Sequence, residues 1–232
     1  MKLSPFLFAA ILSICLTPVQ SSNGDIQEFN DYINTSISKA NIAGMCIAIV
    51  SGDSILFTQG YGYSNIQTKE PFTSETVMNI ASISKTFVGV ALMHLVEKGM
   101  IDLDDDVNNF LPFKVLNPYL PESIITPRHL MSHSSGIKDD QKVYLPSYHY
   151  GGDSPIHLGK FLADYLSPNG THYSKKNFTK SRPGKKFVYS NIGAGLAGYI
   201  VECVSGKPLN IFTREIIFKP LGMNNSLSLI HI

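Results

Sequence analysis

Apolar positions divide the chain into helical and extended stretches. From Asp25 to Ala40, Ile26, Phe29, Ile33 and Ile37 recur at intervals of three and four residues, which puts them on one face of an amphipathic helix. Met45 to Val50 and Ile55 to Tyr63 are short apolar runs around Ser51-Gly52-Asp53-Ser54, and they predict two strands joined by a tight turn. A long helix is predicted from Ser82 to Lys98, with Phe87, Val88, Ala91, Leu92, Leu95 and Val96 on its apolar face and Gly99 as its stop. Thr126 followed by Pro127 signals another helix start, with Gly136 as its end. Residues 138 to 186, rich in Tyr, Pro, Gly and Ser, predict a loop-dominated excursion holding one short helix, Leu158 to Leu166. Helices are predicted again over Asn191 to Val204 and Leu209 to Phe218. Helix, hairpin and helical body in that order predict an α+β fold with too few strands for a stable sheet.

Composition narrows the class. At 232 residues, 44% hydrophobic and 16% charged, the chain is an ordinary globular protein, one domain or two lobes sharing a core. Its formal charge of +1 leaves no overall bias toward a polyanion, so nucleic acid is not an expected partner. One positive charge at Lys2, an apolar run from Phe6 to Leu16 and small residues near Ser21 predict a signal peptide over residues 1–21 and a secreted or extracytoplasmic protein. That run is too short to span a bilayer, so no transmembrane segment is expected in the mature chain. Cleavage leaves Cys46 and Cys203, read as two buried free thiols rather than a disulfide. Asn34, Asn169, Asn177 and Asn224 head N-x-[ST] triplets that could carry glycans in a eukaryotic host.

Two short motifs carry candidate chemistry. In Ser82-Ile83-Ser84-Lys85 the serine and lysine lie three residues apart, so on a helix the Lys85 amine reaches the Ser82 hydroxyl. A desolvated lysine can take the proton of a serine nucleophile, and the helix N-terminus favours negative charge developing on an attacked carbonyl. Taken alone, the triplet reads first as an N-cap serine followed by a solvated lysine. In Tyr189-Ser190-Asn191 a phenol at the end of an extended segment can shuttle a proton, and Asn191, facing the same way, can hold a substrate amide. Taken alone, it is a core tyrosine before a helix cap.

Several segments occur together. These are Ala81-Ser82-Ile83-Ser84-Lys85-Thr86-Phe87, Asp102-Leu103-Asp104-Asp105-Asp106-Val107, the run from Ile125 to Gly136, Pro183-Gly184 with Phe187, Tyr189-Ser190-Asn191, and Pro220-Leu221-Gly222-Met223. In order and spacing they resemble the serine β-lactamase-related proteins, a group of class C-like β-lactamases, DD-peptidases and esterases. The resemblance runs from about Asp25 to Asn224. It implies a β-lactamase/transpeptidase-like fold, in which a helical lobe packs on an antiparallel sheet. It also implies Ser82 as acylated nucleophile, Lys85 as its activator and Tyr189 as general acid/base, with Asn191 binding substrate.

That family carries a third motif, His or Lys then any residue then Gly, on a late strand. His157-Leu158-Gly159 has the letters but precedes Tyr189 in a helical stretch, so it does not qualify. The later sheet strands are therefore expected to be missing from this chain. Residues 22–226 then form an incomplete N-terminal portion of the domain, and 227–232 an unrelated tail. Such a fragment alone is expected to be inactive.

Other patterns are decoys. Gly193-Ala194-Gly195-Leu196-Ala197-Gly198 spells a dinucleotide fingerprint, but no following strand ends in an acidic residue, and small residues that let a helix pack closely explain it. Asp102, Asp104 and Asp106 lack the glycine and glutamate of a calcium loop. His129 and His133 lack the glutamate of a zinc protease, so neither metal nor cofactor is expected. The leading function is a secreted serine hydrolase acting on a β-lactam, a D-alanyl peptide or a small ester, with a small-molecule or peptide substrate as partner. The alternative is a non-catalytic binding protein or inactive fragment that retains the fold. A nicotinamide-dependent enzyme is a distant third.

Overall fold

The computed structural model describes residues 23–149 and 154–227. The signal peptide expected over 1–21 and all but the first residue of the expected tail lie outside them. The chain forms two compact units that divide after Met78. It is α+β, with a three-stranded antiparallel sheet in the first unit and a helical second unit. Among the described residues, no helix is long and apolar enough to cross a membrane.

In the first unit, helix α1 (Asn23–Lys39) precedes strands β1 (Gly44–Ser51) and β2 (Ser54–Asn65). Gly52, at φ +55°, supplies the left-handed residue of the turn between them. The register pairs Gly44 with Gly62 and Ser51 with Ser54, broken by an irregularity at Ile49/Val50. A hydrogen bond of 2.6 Å from the Tyr61 hydroxyl to Asn30 Oδ1 and an edge-on Phe29–Phe57 contact tie the helix to the hairpin. A short third strand, β3 (Glu70–Pro71), pairs with β2 and adds to the two strands expected. The residues just after β3 pass close to Gly60, where a Cβ would lie 2.1 Å from the Phe72 carbonyl oxygen.

The second unit is built around α6 (Asn191–Ser205), whose Ile192, Leu196, Ala197, Ile200 and Val201 are fully buried. A helix apolar on so many sides must be covered all round. Helices α2 (Lys85–Glu97), α3 (Pro127–Met131), α5 (Leu158–Leu166) and α7 (Leu209–Thr213) pack against it. The short α4 (Gln141–Tyr144) precedes α5. Val88, Ala91, Leu92 and Leu95 are the buried face of α2, as its periodicity predicts. Gly193 to Gly198 lie buried inside α6, where small residues allow close packing. Gly206, at φ +68°, closes the helix in the left-handed conformation.

Several expectations need correction. The predicted helix at Ser82 begins as a 3-10 turn, Ala81–Ser84, and turns α-helical only at Lys85. Helix α3 has the expected Thr126 cap but stops at Met131, because His133 turns to φ +51° well before Gly136. The predicted helix over Leu209 to Phe218 changes at Arg214 into a π-helical turn that runs to Phe218. Cys46 and Cys203 are free, but Cys46 is exposed and Cys203 half-buried, so the pair is not a buried one. Asn177 is 0% exposed, with Nδ2 donating to the carbonyls of Tyr165 and His172, so its triplet cannot present a glycan from the folded chain. Asn34, Asn169 and Asn224 are exposed.

Candidate active site

Ser82 sits in the 3-10 turn that leads into α2, directly after Ala81 at φ +47°. Such a backbone is strained for a residue with a Cβ. The Ala81 N–H donates to Asn79 Oδ1 at 2.6 Å, which helps hold the turn. No side chain caps this turn, so Ser82 is not serving as an N-cap. Its exposed hydroxyl instead accepts from Lys85 Nζ at 3.0 Å and from the Tyr189 hydroxyl at 2.7 Å. Lys85 Nζ also lies 5.4 Å from the centroid of the Tyr189 ring.

This geometry sets the electrostatics of the phenol. Burial pushes the Tyr189 pKa up, but the hydrogen bond with Ser82 and the Lys85 ammonium outweigh it and hold the group below its ordinary 10.0. An ionised phenol has no proton to donate, so in that form the Tyr189 oxygen can only accept a hydrogen bond from Ser82.

Two neighbours that sequence reasoning did not assign hold Tyr189 in place. The His133 ring lies 4.5 Å from the Tyr189 ring and makes an edge contact with Phe187. Its Nδ1 accepts from Ser190 N at 3.3 Å, while its carbonyl accepts from Val188 N at 2.7 Å. Burial, reinforced by Lys85, holds the His133 imidazole below its ordinary 6.5, in the neutral form that such an acceptor requires.

Asp139 takes the other side. Its Oδ1 accepts from Ser190 Oγ (2.7 Å) and Ile192 N (3.1 Å), and its Oδ2 from the backbone N and side-chain Nδ2 of Asn191 (both 2.9 Å). Asn191 N and Ile192 N are orphan backbone donors at the start of α6, where a carboxylate is favoured. Ser190 completes the cap by accepting from Gly193 N at 2.9 Å. The only sequence signal for Asp139 is the N-cap pattern at Ser190, which calls for an anion nearby without saying which.

The structure therefore brings Ser82, Lys85 and Tyr189 onto one hydroxyl and treats Asn191 differently. Asn191 is the first residue of α6, not part of an extended segment, and its amide N–H is committed to Asp139. Its Oδ1 accepts no hydrogen bond among the described residues. His157 caps α5, its Nδ1 accepting from Gly159 N at 3.2 Å, a structural role apart from these residues. Asp104 forms a bidentate pair with Arg128, and Asp106 caps the turn Val107–Asn109. Among the described residues no cluster of His, Cys, Asp or Glu suits a metal ion.

The chain is α+β, and in its second unit a lysine and a tyrosine share one serine hydroxyl. The chain belongs to the β-lactamase family, whose model, described as Beta-lactamase, matches residues 25–227. Protein flp of Staphylococcus aureus (strain MRSA252) is 28% identical over 88% of the chain and 38% of its own length. Penicillin-binding protein 4* of Bacillus subtilis (strain 168) is 30% identical over 81% of the chain and 38% of its own length. The chain thus spans less than half the length of these curated relatives. Among solved structures, the octameric penicillin-binding protein homologue from Pyrococcus abyssi superposes with a TM-score of 0.69 at 31% identity, covering 86% of this chain and 44% of that one. D-amino acid amidase from Ochrobactrum anthropi SV3, with D-phenylalanine, gives 0.67 at 26% identity, covering 86% of this chain and 51% of its own. The β-lactamase/transpeptidase-like fold follows from these matches.

Proposed function

We propose that the protein is a serine hydrolase that opens an ester or amide through an acyl-enzyme on Ser82. The observation that carries this reading is the Ser82 hydroxyl, exposed and within hydrogen-bond distance of both Lys85 Nζ and the Tyr189 phenol. Ser82 Oγ attacks the carbonyl carbon while its proton passes to ionised Tyr189, and a C–O bond forms. Lys85 stabilises the phenolate before transfer. Tyr189 then returns the proton to the departing alcohol or amine as the scissile bond breaks. Water attacks the acyl-Ser82 ester, again losing its proton to Tyr189, and Ser82 recovers that proton as the acid leaves. A β-lactam, a D-alanyl peptide or a small ester fits this chemistry, and the likeness to a D-amino acid amidase supports the amide arm. The same reading takes the protein to be exported, on the strength of the charged and apolar pattern at its N-terminus.

The test is burst kinetics with a chromogenic ester on a chain extended to the length of its relatives, since the 232 residues alone are expected to be inactive. One equivalent of leaving group per Ser82, released faster than the steady state, is expected. Absence of a burst together with no acyl mass on the Ser82 peptide after acid quenching would favour the non-catalytic alternative.

A further inference from the structure

The overall charge of +1 conceals a strong local asymmetry. Residues 175–186 carry Lys175, Lys176, Lys180, Arg182, Lys185 and Lys186 with no Asp or Glu, leaving 13 basic residues against 18 acidic ones in the rest of the chain. All six side chains are exposed. The ion pairs Arg128–Asp104, Lys160–Asp164 and Lys207–Glu215 use none of them. Nearby carboxylates are engaged elsewhere: Asp139 holds the start of α6, Asp140 caps α4, and Asp164 pairs with Lys160.

The strip is also fixed in place beside the candidate site. Lys138 N donates to Asn177 O, Thr179 N to Gly136 O, Gly184 N to Ser134 O and Val188 N to His133 O, at 2.7–2.9 Å. Its backbone therefore runs along the segment that carries His133 and enters Tyr189 three residues after Lys186. Lys175 and Lys180 keep their ammonium groups 5.8 and 5.5 Å from the centroid of the same Tyr119 ring, which holds two like charges close together. Five of the six cations are lysines, point charges rather than guanidinium forks, so the strip reads the amount of negative charge more than the geometry of one anion.

We propose that residues 175–186 form a subsite that selects acyl donors bearing several carboxylates away from the scissile bond, the chemistry of an acidic peptide. This rests on the acyl-enzyme reading of Ser82 for its consequence in turnover, but not for binding. Cations clustered beside a reactive group raise the local concentration of anionic substrate and the rate of productive encounter, an effect that salt removes.

The experiment uses fluorophosphonate probes that differ only in tail, oligoglutamate or oligoglutamine. At low ionic strength the oligoglutamate probe is expected to label Ser82 about tenfold faster, with the preference gone at about 1 M salt, where the screening length is about 3 Å. The triple variant Lys176→Gln, Lys180→Gln, Lys185→Gln is expected to lose most of the preference. Lys39→Gln, Lys98→Gln, Lys219→Gln removes the same charge from exposed positions elsewhere and is expected to keep it. Equal labelling by the two probes, or an equal loss in both triple variants, overturns the subsite. Fluorescence anisotropy of an unreactive oligoglutamate peptide on the Ser82→Ala chain reads the strip apart from the chemistry. Salt-sensitive binding lost only in the strip variant upholds the subsite even if no probe labels Ser82, and no binding refutes it.

Discussion

Tyr189 and Ser82, separated by 107 positions in sequence, meet at a hydroxyl–hydroxyl distance of 2.7 Å. Only Tyr189 among the described residues brings a phenol to that oxygen. Tyr189→Phe is expected to slow acylation of Ser82 by about a hundredfold, the usual scale for a general acid or base, read as the burst rate constant with a chromogenic ester. A burst of near-normal rate would remove Tyr189 from proton transfer.

Lys85 acts on the same phenol. Because the ammonium helps hold the Tyr189 pKa below 10.0, Lys85→Met is expected to raise it, shifting the rising limb of the acylation–pH profile toward higher pH. An ultraviolet difference titration of the phenol follows the shift without a substrate. A titration unchanged between the wild type and Lys85→Met would show that the lysine does not tune the base.

Asp139 anchors the start of α6 through four hydrogen bonds, so Asp139→Ala leaves four donors facing a gap. Hydrogen bonds to a charged acceptor contribute about 1.5–3 kcal/mol each and are not additive, so a loss of about 3 kcal/mol is expected in urea unfolding. Acylation should fall as well, because Tyr189 directly precedes the anchored residues. A variant as stable as the wild type would mean that Ser190 caps the helix unaided.

How far these features can be read in sequence depends on the range of the forces that set them. Helix α5 has the bounds expected of the one short helix in its stretch, and its Phe161, Leu162, Tyr165 and Leu166 form one buried face. The turn at Ala81 and the early end of α3 at His133 depend on positive φ values in non-glycine residues, for which composition offers no cue. Strand β3 is two residues long, too short for alternation to register. Asp139 meets partners 51 to 53 positions away, and only the fold brings them together. The Asn191 amide is likewise claimed by Asp139, a competition that the Tyr189-Ser190-Asn191 letters do not show. The basic strip was visible residue by residue but disappeared in a net charge of +1.

Acid should weaken the fold. Burial is the largest cause holding both His129 and His133 below the ordinary 6.5. As pH falls below about 6.5 the unfolded chain takes up protons that the folded chain refuses until lower pH, so their stabilisation is complete above that value and is lost through the folded pKa values. His129 occupies the third position of a capping box with Thr126, its Nδ1 accepting from Thr126 N at 3.2 Å. Glutamine suits that position and does not titrate. His129→Gln is expected to keep stability at pH 7 and to reduce its decline in acid, followed as the urea midpoint against pH. An undiminished decline would assign the acid sensitivity to other groups.

The most direct test is the site of covalent modification. The protein, extended to the length of its relatives, is treated with a neutral alkyl fluorophosphonate, digested, and mapped by mass spectrometry beside its Ser82→Ala variant. The account predicts a single adduct, on Ser82, that is absent from the variant and strongly slowed in Lys85→Met and Tyr189→Phe. An adduct on another serine, or labelling that persists unchanged in Ser82→Ala, would contradict it.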